Sequence, residues 1–147
     1  MEKPVTNSLH EFLFCRLDGM IPLKKGLDAF ALRQKVIAAN IANVETPEYR
    51  AKQVTFEEEL SKVLNRQKSG LRRTHPDHIP VRGGVEALDR VKAEVIPDQS
   101  PALYNGVNNV DIDKEVAHMA TNQIHYATVA KVIALRHKLL LNAIKGH

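Results

Sequence analysis

The sequence predicts a mainly α-helical, elongated chain with one long helix near each end and a loop-rich middle segment that carries little β-structure. Apolar residues recur with helical periodicity in two segments that lie far apart, and most glycines and prolines fall between them. Only 5% of the 147 residues are aromatic. A core built from Leu, Ile, Val and Ala suits helices that pack along their length.

The N-terminal helix is predicted within residues 26–45, from about Leu27 to Asn43. Its packing positions alternate spacings of three and four, which is typical of a seam between helices. The Thr46-Pro47 pair prevents continuation, because proline disfavours helical backbone in the residue before it. Residues 1–25 form an N-terminal extension to which we assign no structure. The seam positions are Leu27, Phe30, Gln34, Ile37, Ile41 and Val44.

The middle segment, residues 46–109, is predicted to be rich in loops. Thr55 and Glu58 have the spacing of a capping box, which predicts a short helix near 55–64. Four of the seven glycines and four of the seven prolines lie within residues 70–106. Residues 81–96 are predicted to supply one or two short strands, for example 91–96, where apolar residues alternate with charged ones.

The C-terminal helix, within residues 110–147, has the clearest periodicity in the chain. Acidic residues open the segment and basic residues close it, in agreement with the helix dipole. A helix over residues 112–145 would be about 51 Å long, longer than a compact domain of this size is wide, which predicts the elongated shape. The packing positions are Ile112, Val116, Met119, Gln123, Tyr126, Ala130, Ile133, His137, Leu140 and Ile144.

Both predicted helices are apolar on more than one face. Leu32, Val36 and Ala39 form a second face on the first helix. A simple hairpin would cover only one face of each helix, so other subunits would have to cover the remainder. The sequence therefore predicts a polymer or an obligate assembly. The second face of the C-terminal helix contains Ile124, Val129, Val132, Leu135, Leu139 and Leu141.

Motifs for catalysis and metal binding are absent from the sequence. It contains no glycine-rich phosphate loop, no G-x-S-x-G and no H-E-x-x-H. A single cysteine, Cys15, cannot form an intramolecular disulfide, and no histidine neighbours it in a catalytic pattern. The pairs His75/His78 and His118/His125 are more consistent with ordinary histidines than with metal ligands. We therefore expect no enzyme, no catalytic residues, no cofactor, no metal site and no small-molecule substrate.

A basic stretch runs from Lys62 to Arg82, with six Lys or Arg residues and one Asp. Such a stretch can bind phosphates, but it contains no aromatic side chain on which bases could stack. The alternative function is therefore a basic helical protein that binds nucleic acid or an anionic surface through this stretch. We favour a solvated loop or a contact with an acidic partner, and no nucleic-acid partner.

Residues 38–51 resemble the N-terminal signature of flagellar axial proteins, the family of rod, hook and hook-associated subunits. The family pattern is A-x-N-I-A-N-x-x-T-P-G-Y, and this chain has Glu48 where the pattern has glycine. Residues 108–111 and 142–144 are similar to the family's C-terminal element. Phe56, Leu60 and residues 74–79, together with the short length, resemble the proximal-rod members of the family.

The resemblance implies that the N- and C-terminal helices pair in a coiled-coil-like hairpin. It also implies a structural subunit of the bacterial flagellar basal-body (proximal) rod, which polymerises into a hollow helical shaft that transmits torque and passes exported subunits. The implied partners are copies of itself, other rod subunits, the membrane-ring adaptor, the MS-ring and the flagellar type III export apparatus. The implied location is the periplasmic rod, reached by type III export without a cleaved signal peptide. No apolar run resembles a secretory signal or a membrane span, which agrees with that route.

The signature residues are expected to set the angle between the helices and the adjoining loop. Asn40 and Asn43 can bond backbone groups where the helix ends, and Tyr49 offers a half-polar surface to a neighbouring subunit. The predicted assembly signature is Asn40, Ile41, Asn43, Thr46, Pro47, Tyr49, Asn109 and Val110. The predicted helix-packing seam is Leu27, Phe30, Ile37, Ile41, Val116, Met119, Tyr126, Ala130, Ile133, Leu140 and Ile144.

Overall fold

A computed structural model of the chain describes residues 20–68, 88, 90–102 and 108–146. The described elements are three helices and two strands, so the prediction of a mainly helical fold with little β-structure is confirmed. The long N- and C-terminal helices pack against each other, as the resemblance implied. The elements are α1 (Met20–Ala42), β1 (Lys52–Thr55), α2 (Glu57–Lys68), β2 (Glu94–Pro97) and α3 (Ile112–Lys145).

Helix α1 begins at Met20, earlier than the predicted start at residue 26. Pro22 lies in its first turn, where the missing N–H has no intrahelical partner to lose. The helix ends at Ala42, one residue before the expected end. The backbone N–H of Asn43 donates to the carbonyls of Ala39 and Asn40, at 3.2 and 3.1 Å.

The chain divides into two compact units. One contains residues 20–25 of α1 together with α2, which begins two residues later and ends four residues later than the predicted short helix. The other, Gly26–Phe56 with Lys92–His147, contains the remainder of α1, both strands and α3. This second unit contains all residues of the predicted signature.

Strands β1 and β2 form an antiparallel pair in which Val54 lies opposite Val95. Strand β2 begins three residues later than residue 91, where the predicted strand begins, and β1 was not predicted. Only Val54 of β1 is buried, and every residue of β2 is exposed. The pair therefore packs on the helices through β1.

Buried apolar side chains of α1, β1 and the segment before α3 form the core of this unit. The Phe30 and Phe56 rings meet edge to face, with their centroids 5.3 Å apart, and the Arg33 guanidinium lies over both rings. Arg33 also donates to the carbonyl of Val54 at 2.8 Å, which links α1 to β1. The buried apolar residues are Ala29, Val36, Ile37, Ala51, Val54, Phe56 and Val110.

Helix α3 is capped at both ends by local bonds. The Asp111 carboxylate accepts from the backbone N–H groups of Asp113 and Lys114, and these bonds lower the pKa of Asp111. At the other end, Gly146 adopts a left-handed conformation with φ 74° and donates to the carbonyl of Asn142. The cap residues explain why the helix covers Ile112–Lys145.

Candidate functional site: a buried amide network

Polar side chains are buried where α1 and α3 meet. Among the described residues of α3, only Glu115 and Asn122 are buried, and both are polar. Asn40 on α1 is completely buried. The contacts pair Asn40 with Glu115 and Gln34 with Asn122, so the two helices run antiparallel. Hydrogen bonds, which demand defined partners, therefore fix the register of this hairpin.

Asn40 uses its whole hydrogen-bonding capacity inside the chain. Its amide nitrogen donates to the carbonyl of Lys52 at 2.8 Å and to Glu115 Oε1 at 3.1 Å. Its amide oxygen accepts from the backbone N–H of Lys52 at 3.0 Å and from the Tyr49 hydroxyl at 3.1 Å. A neutral amide is the side chain that offers two donors and two acceptor sites together. Asn40 thus joins α1 to α3, to β1 and to the turn before β1.

Two titratable groups around Asn40 are perturbed by burial. Burial raises the pKa of Glu115, and the hydrogen bond from Asn40 partly offsets that rise. Burial also raises the pKa of Tyr49, and the negative charge of Glu115 raises it further. The second oxygen of Glu115, Oε2, is buried and has no hydrogen-bond partner among the residues that the structure describes.

Two adjacent asparagines connect the turn after α1 to the segment before α3. The Asn108 amide donates to three carbonyls of that turn, those of Asn43, Val44 and Thr46. Its oxygen accepts from the Val110 N–H at 3.0 Å. Asn109 accepts from the Ala51 N–H at 2.7 Å and donates to the carbonyl of Asp98 at 3.2 Å. These bonds satisfy the backbone of an otherwise irregular region.

The turn after α1 contains the remaining signature residues. The Asn43 amide donates to the carbonyl of Ala39 at 2.7 Å, and its oxygen accepts from the Thr46 hydroxyl at 3.2 Å. Glu48, beside Pro47, has φ 61°, which is the left-handed region that glycine adopts without strain. At the position where the family pattern has glycine, the backbone of this chain is therefore left-handed, although the residue is a glutamate.

Several signature and seam residues lie in the core, whereas others face solvent. Ile37 and Val110 are buried, and Leu27, Phe30, Ile41, Tyr49 and Asn109 are half-buried. On α3, the half-buried seam residues are Met119, Ala130, Ile133 and Leu140. The exposed seam residues are Val116, Tyr126 and Ile144.

Asn108, Glu115 and Asn122 are central to the network but were not among the predicted site residues. The sequence gives only a weak indication that these three residues are buried. Glu115 and Asn122 are seven residues apart, so they lie on one face of α3 next to the apolar seam. Asn122 donates to the Phe30 carbonyl at 3.0 Å and to Gln34 Oε1 at 2.8 Å.

The hydrogen bonds of the amide network hold segments of the chain together. Within the part of the chain that the structure describes, no three His, Cys, Asp or Glu side chains are grouped to hold a metal ion. None of its helices is long and apolar enough to cross a membrane. The predictions for Cys15, His75, His78 and residues 69–82 of the basic stretch fall outside the described residues.

Comparison with known proteins gives a consistent result. Residues 24–50 match the sequence model of a family described as flagella basal body rod protein. The chain is 39% identical over 122 residues to the flagellar basal body rod protein FlgB of Borrelia hermsii, covering 81% of this chain and 90% of that protein. It is 36% identical to the FlgB of Salmonella typhimurium over 89% of this chain and 96% of that protein. The FlgB of Escherichia coli is 35% identical with the same coverage.

Proposed function

The chain belongs to the flagellar basal body rod protein FlgB family, and from this membership we propose that its copies and neighbouring rod subunits join through the exposed apolar face of α3 into a hollow helical shaft. Membership makes the chain a structural subunit of the flagellar basal-body rod. The proposal adds how the subunits meet and what the assembled shaft does, which is to transmit torque and to pass exported subunits.

The exposure of large apolar side chains on α3 is the observation that carries the proposal. Ile124 is 66% exposed, Leu135 57% and Leu139 58%. A helix that is apolar on several faces is stable in water only when other surfaces cover those faces. We call Ile124, Val132, Leu135 and Leu139 the outer face of α3. At 100° per residue, Leu135 lies about 140–160° around the helix from Glu115 and Asn122, so the outer face is nearly opposite these buried residues.

The amide network supports this role because it fixes α3 before any neighbour covers the outer face. The network bonds lie on the side of α3 that meets α1, away from the outer face. A subunit held this way presents one defined surface rather than a range of helix positions. A shaft that transmits torque needs subunits that do not slip internally under load.

Family membership supports further partners as part of the proposal. We place the chain in the periplasmic, proximal part of the rod, in contact with the membrane-ring adaptor and the MS-ring. It reaches that place through the flagellar type III export apparatus. The assembly residues in this proposal are the predicted signature and seam, together with the outer face.

Replacing Leu135 with Asp tests the proposal. Because Leu135 is exposed within the subunit, Leu135→Asp should leave the free energy of unfolding of the isolated chain within about 0.5 kcal/mol of the wild-type value. In cells it should abolish rod assembly, since the interface would bury an unpaired carboxylate. Electron microscopy of isolated basal bodies and swimming in soft agar measure the effect.

The matched control is Gln99→Asp, which places the same carboxylate in an exposed loop between β2 and α3. It should assemble and swim normally. Normal rods and normal swimming in the Leu135→Asp strain would refute the proposed interface, because a carboxylate at a buried subunit contact could not be tolerated.

A further inference from the structure

The stretch of α3 that carries the outer face is basic along its whole length. Residues 116–145 contain three lysines and one arginine, but no Asp or Glu. The acidic residues of the helix, Asp113 and Glu115, both lie in its first turn, ahead of this stretch. A surface that covers the outer face therefore meets positive charge and no compensating negative charge on α3 itself.

The basic side chains lie at both edges of the outer face. At 100° per residue, Lys131 and Lys138 lie about 20° and 40° around the helix from Ile124, at one edge. Arg136 lies about 40° from Val132, at the opposite edge. In helix pairs, charged residues that flank an apolar seam decide which helix packs against it, because they oppose the flanking residues of the partner. The outer face of α3 is thus a seam with two basic flanks.

The lysines of the first edge form an exposed row. Lys131, Lys138 and Lys145 are exposed, and none forms a salt bridge with a residue that the structure describes. They recur every seven residues, or about 10.5 Å along the axis, so the row is about 21 Å long. A single exposed ion pair contributes little, whereas a row of like charges at an interface strongly selects the sign of the partner surface.

Two α3 helices do not complement each other through this face. In a parallel or an antiparallel pair, the flanks of one outer face oppose the flanks of the other, and all of these flanks are basic. Opposed like charges disfavour such a pair, although its apolar residues would match. The partner surface must supply carboxylates.

The other described helices of this chain supply no such row of carboxylates. The exposed charged residues of α1 are Lys24, Asp28 and Lys35, which place a single carboxylate between two lysines. Helix α2 has three consecutive glutamates, Glu57–Glu59, but they occupy one turn and extend about 3 Å along the axis. Neither arrangement matches lysines spread over about 21 Å. The charge pattern therefore indicates a different protein as the partner.

Resting on the proposed function, we propose that an amphipathic helix of a different rod protein covers the outer face of α3 and brings a row of Asp or Glu side chains beside its own apolar seam. Two of its carboxylates pair with Lys131 and Lys138, and its apolar side chains pack on Ile124 and Leu135. The apolar contact supplies the buried area, and the charges select this partner over a second α3.

Carbodiimide crosslinking of basal bodies isolated from the unmodified strain tests the contact. This zero-length reagent joins a lysine amine to a carboxylate in contact with it, and mass spectrometry identifies the two peptides. We expect Lys131 or Lys138 to be joined to an Asp or Glu of a different rod protein. Links from these lysines only to peptides of this chain would overturn the inference. So would their absence in rods where other Lys–carboxylate pairs are joined, the result that an anionic lipid surface on α3 would give.

The same experiment separates the partner assignment from the proposed function. If isolated rods contain the chain but the expected links are absent, the proposed function stands and the partner assignment fails. If isolated rods lack the chain, both fail.

Charge reversal is a second test. Lys131→Glu combined with Lys138→Glu should lower the number of rods per cell about tenfold or more, because it opposes carboxylates to carboxylates. Since both lysines are exposed, the isolated variant should keep the circular dichroism spectrum of the wild type. The matched control, Lys24→Glu with Lys35→Glu on α1, makes the same change in charge and should form rods in normal number.

Reversing the partner's charges as well completes the test. Replacing the crosslinked carboxylates of the partner protein with Lys should restore rods to the strain that carries Lys131→Glu and Lys138→Glu, a result that a folding defect would not give. Normal rods in that strain before the partner is changed, an equal loss in the α1 control, or no restoration by the partner change would each overturn the inference.

Discussion

Removing the Asn40 side chain should destabilise the fold far more than removing the nearby Asn43 side chain. Asn40→Ala deletes four hydrogen bonds at a completely buried position and leaves Glu115 Oε1 and the Tyr49 hydroxyl without their partner. Asn43→Ala deletes a bond to the Ala39 carbonyl and one from the Thr46 hydroxyl, both exposed to water. The two substitutions make the same chemical change in one helix end and differ mainly in burial.

The magnitude for Asn40→Ala follows from the bond count. Four hydrogen bonds at about 0.5–1.5 kcal/mol each give roughly 2–6 kcal/mol. Water can replace part of the two part-buried bonds to the Lys52 backbone, and alanine favours helix by about 0.5 kcal/mol. We therefore expect a loss of about 2–4 kcal/mol in the free energy of unfolding, against about 0.5–1 kcal/mol for Asn43→Ala.

Urea denaturation followed by circular dichroism at 222 nm measures both variants. The predicted loss for Asn40→Ala is a large share of the roughly 5–15 kcal/mol that stabilises a typical domain. Equal losses for the two variants, or a loss below about 0.5 kcal/mol for Asn40→Ala, would show that the network does not hold α1 and α3 together.

Two further substitutions test the strained turn and the buried carboxyl. Glu48→Gly should raise the free energy of unfolding by about 0.5–1 kcal/mol, because glycine adopts φ 61° without steric cost; a loss in the same urea experiment would contradict this. Burial raises the pKa of Glu115, so the folded state binds its proton more tightly than the unfolded state does. The contribution of Glu115 to stability is therefore fully present below its ordinary value of 4.5 and is lost as the pH rises from there through the raised folded pKa. Glu115→Gln should remove that decline from a stability–pH profile, whereas a profile identical to wild type would contradict the assignment.

The two long helices could be predicted from the sequence because their signals are local. The apolar periodicity of α3, the acidic residues at its start and the basic residues near its end all lie within the helix itself. The start of α1 lies earlier than the periodicity predicts, and Pro22 does not prevent this because the first turn of a helix accommodates proline. Strand β1 depends on pairing with β2, some forty residues later, and four residues alone carry little signal for it.

The amide network could be predicted only in part because its partners are distant in the chain. Asn40 and Asn109 were identified through the family signature, but Glu115 is 75 residues from Asn40 and carries no local sign that it is buried. Hydropathy assigns a glutamate and an asparagine to the surface, whereas here both are buried on the side of α3 opposite its apolar outer face. On this helix the buried residues are polar and many of the exposed ones are apolar, and this arrangement becomes visible only in the folded hairpin.

On α3 the buried polar residues fix the register of the hairpin, and the exposed apolar residues are left to contact neighbouring subunits. A single apolar seam would have to do both. Two apolar helices can slide past one another by a turn and lose little packing, since leucine-like surfaces are nearly equivalent at each step. A slip of one turn would move Glu115 about 5.4 Å from Asn40 and would leave both buried groups unpaired, at several kcal/mol. The polar contacts therefore permit one register, and the apolar surface stays outside for the neighbours. The proposed function requires both properties, because a shaft can transmit torque only if each subunit keeps its own helices in place.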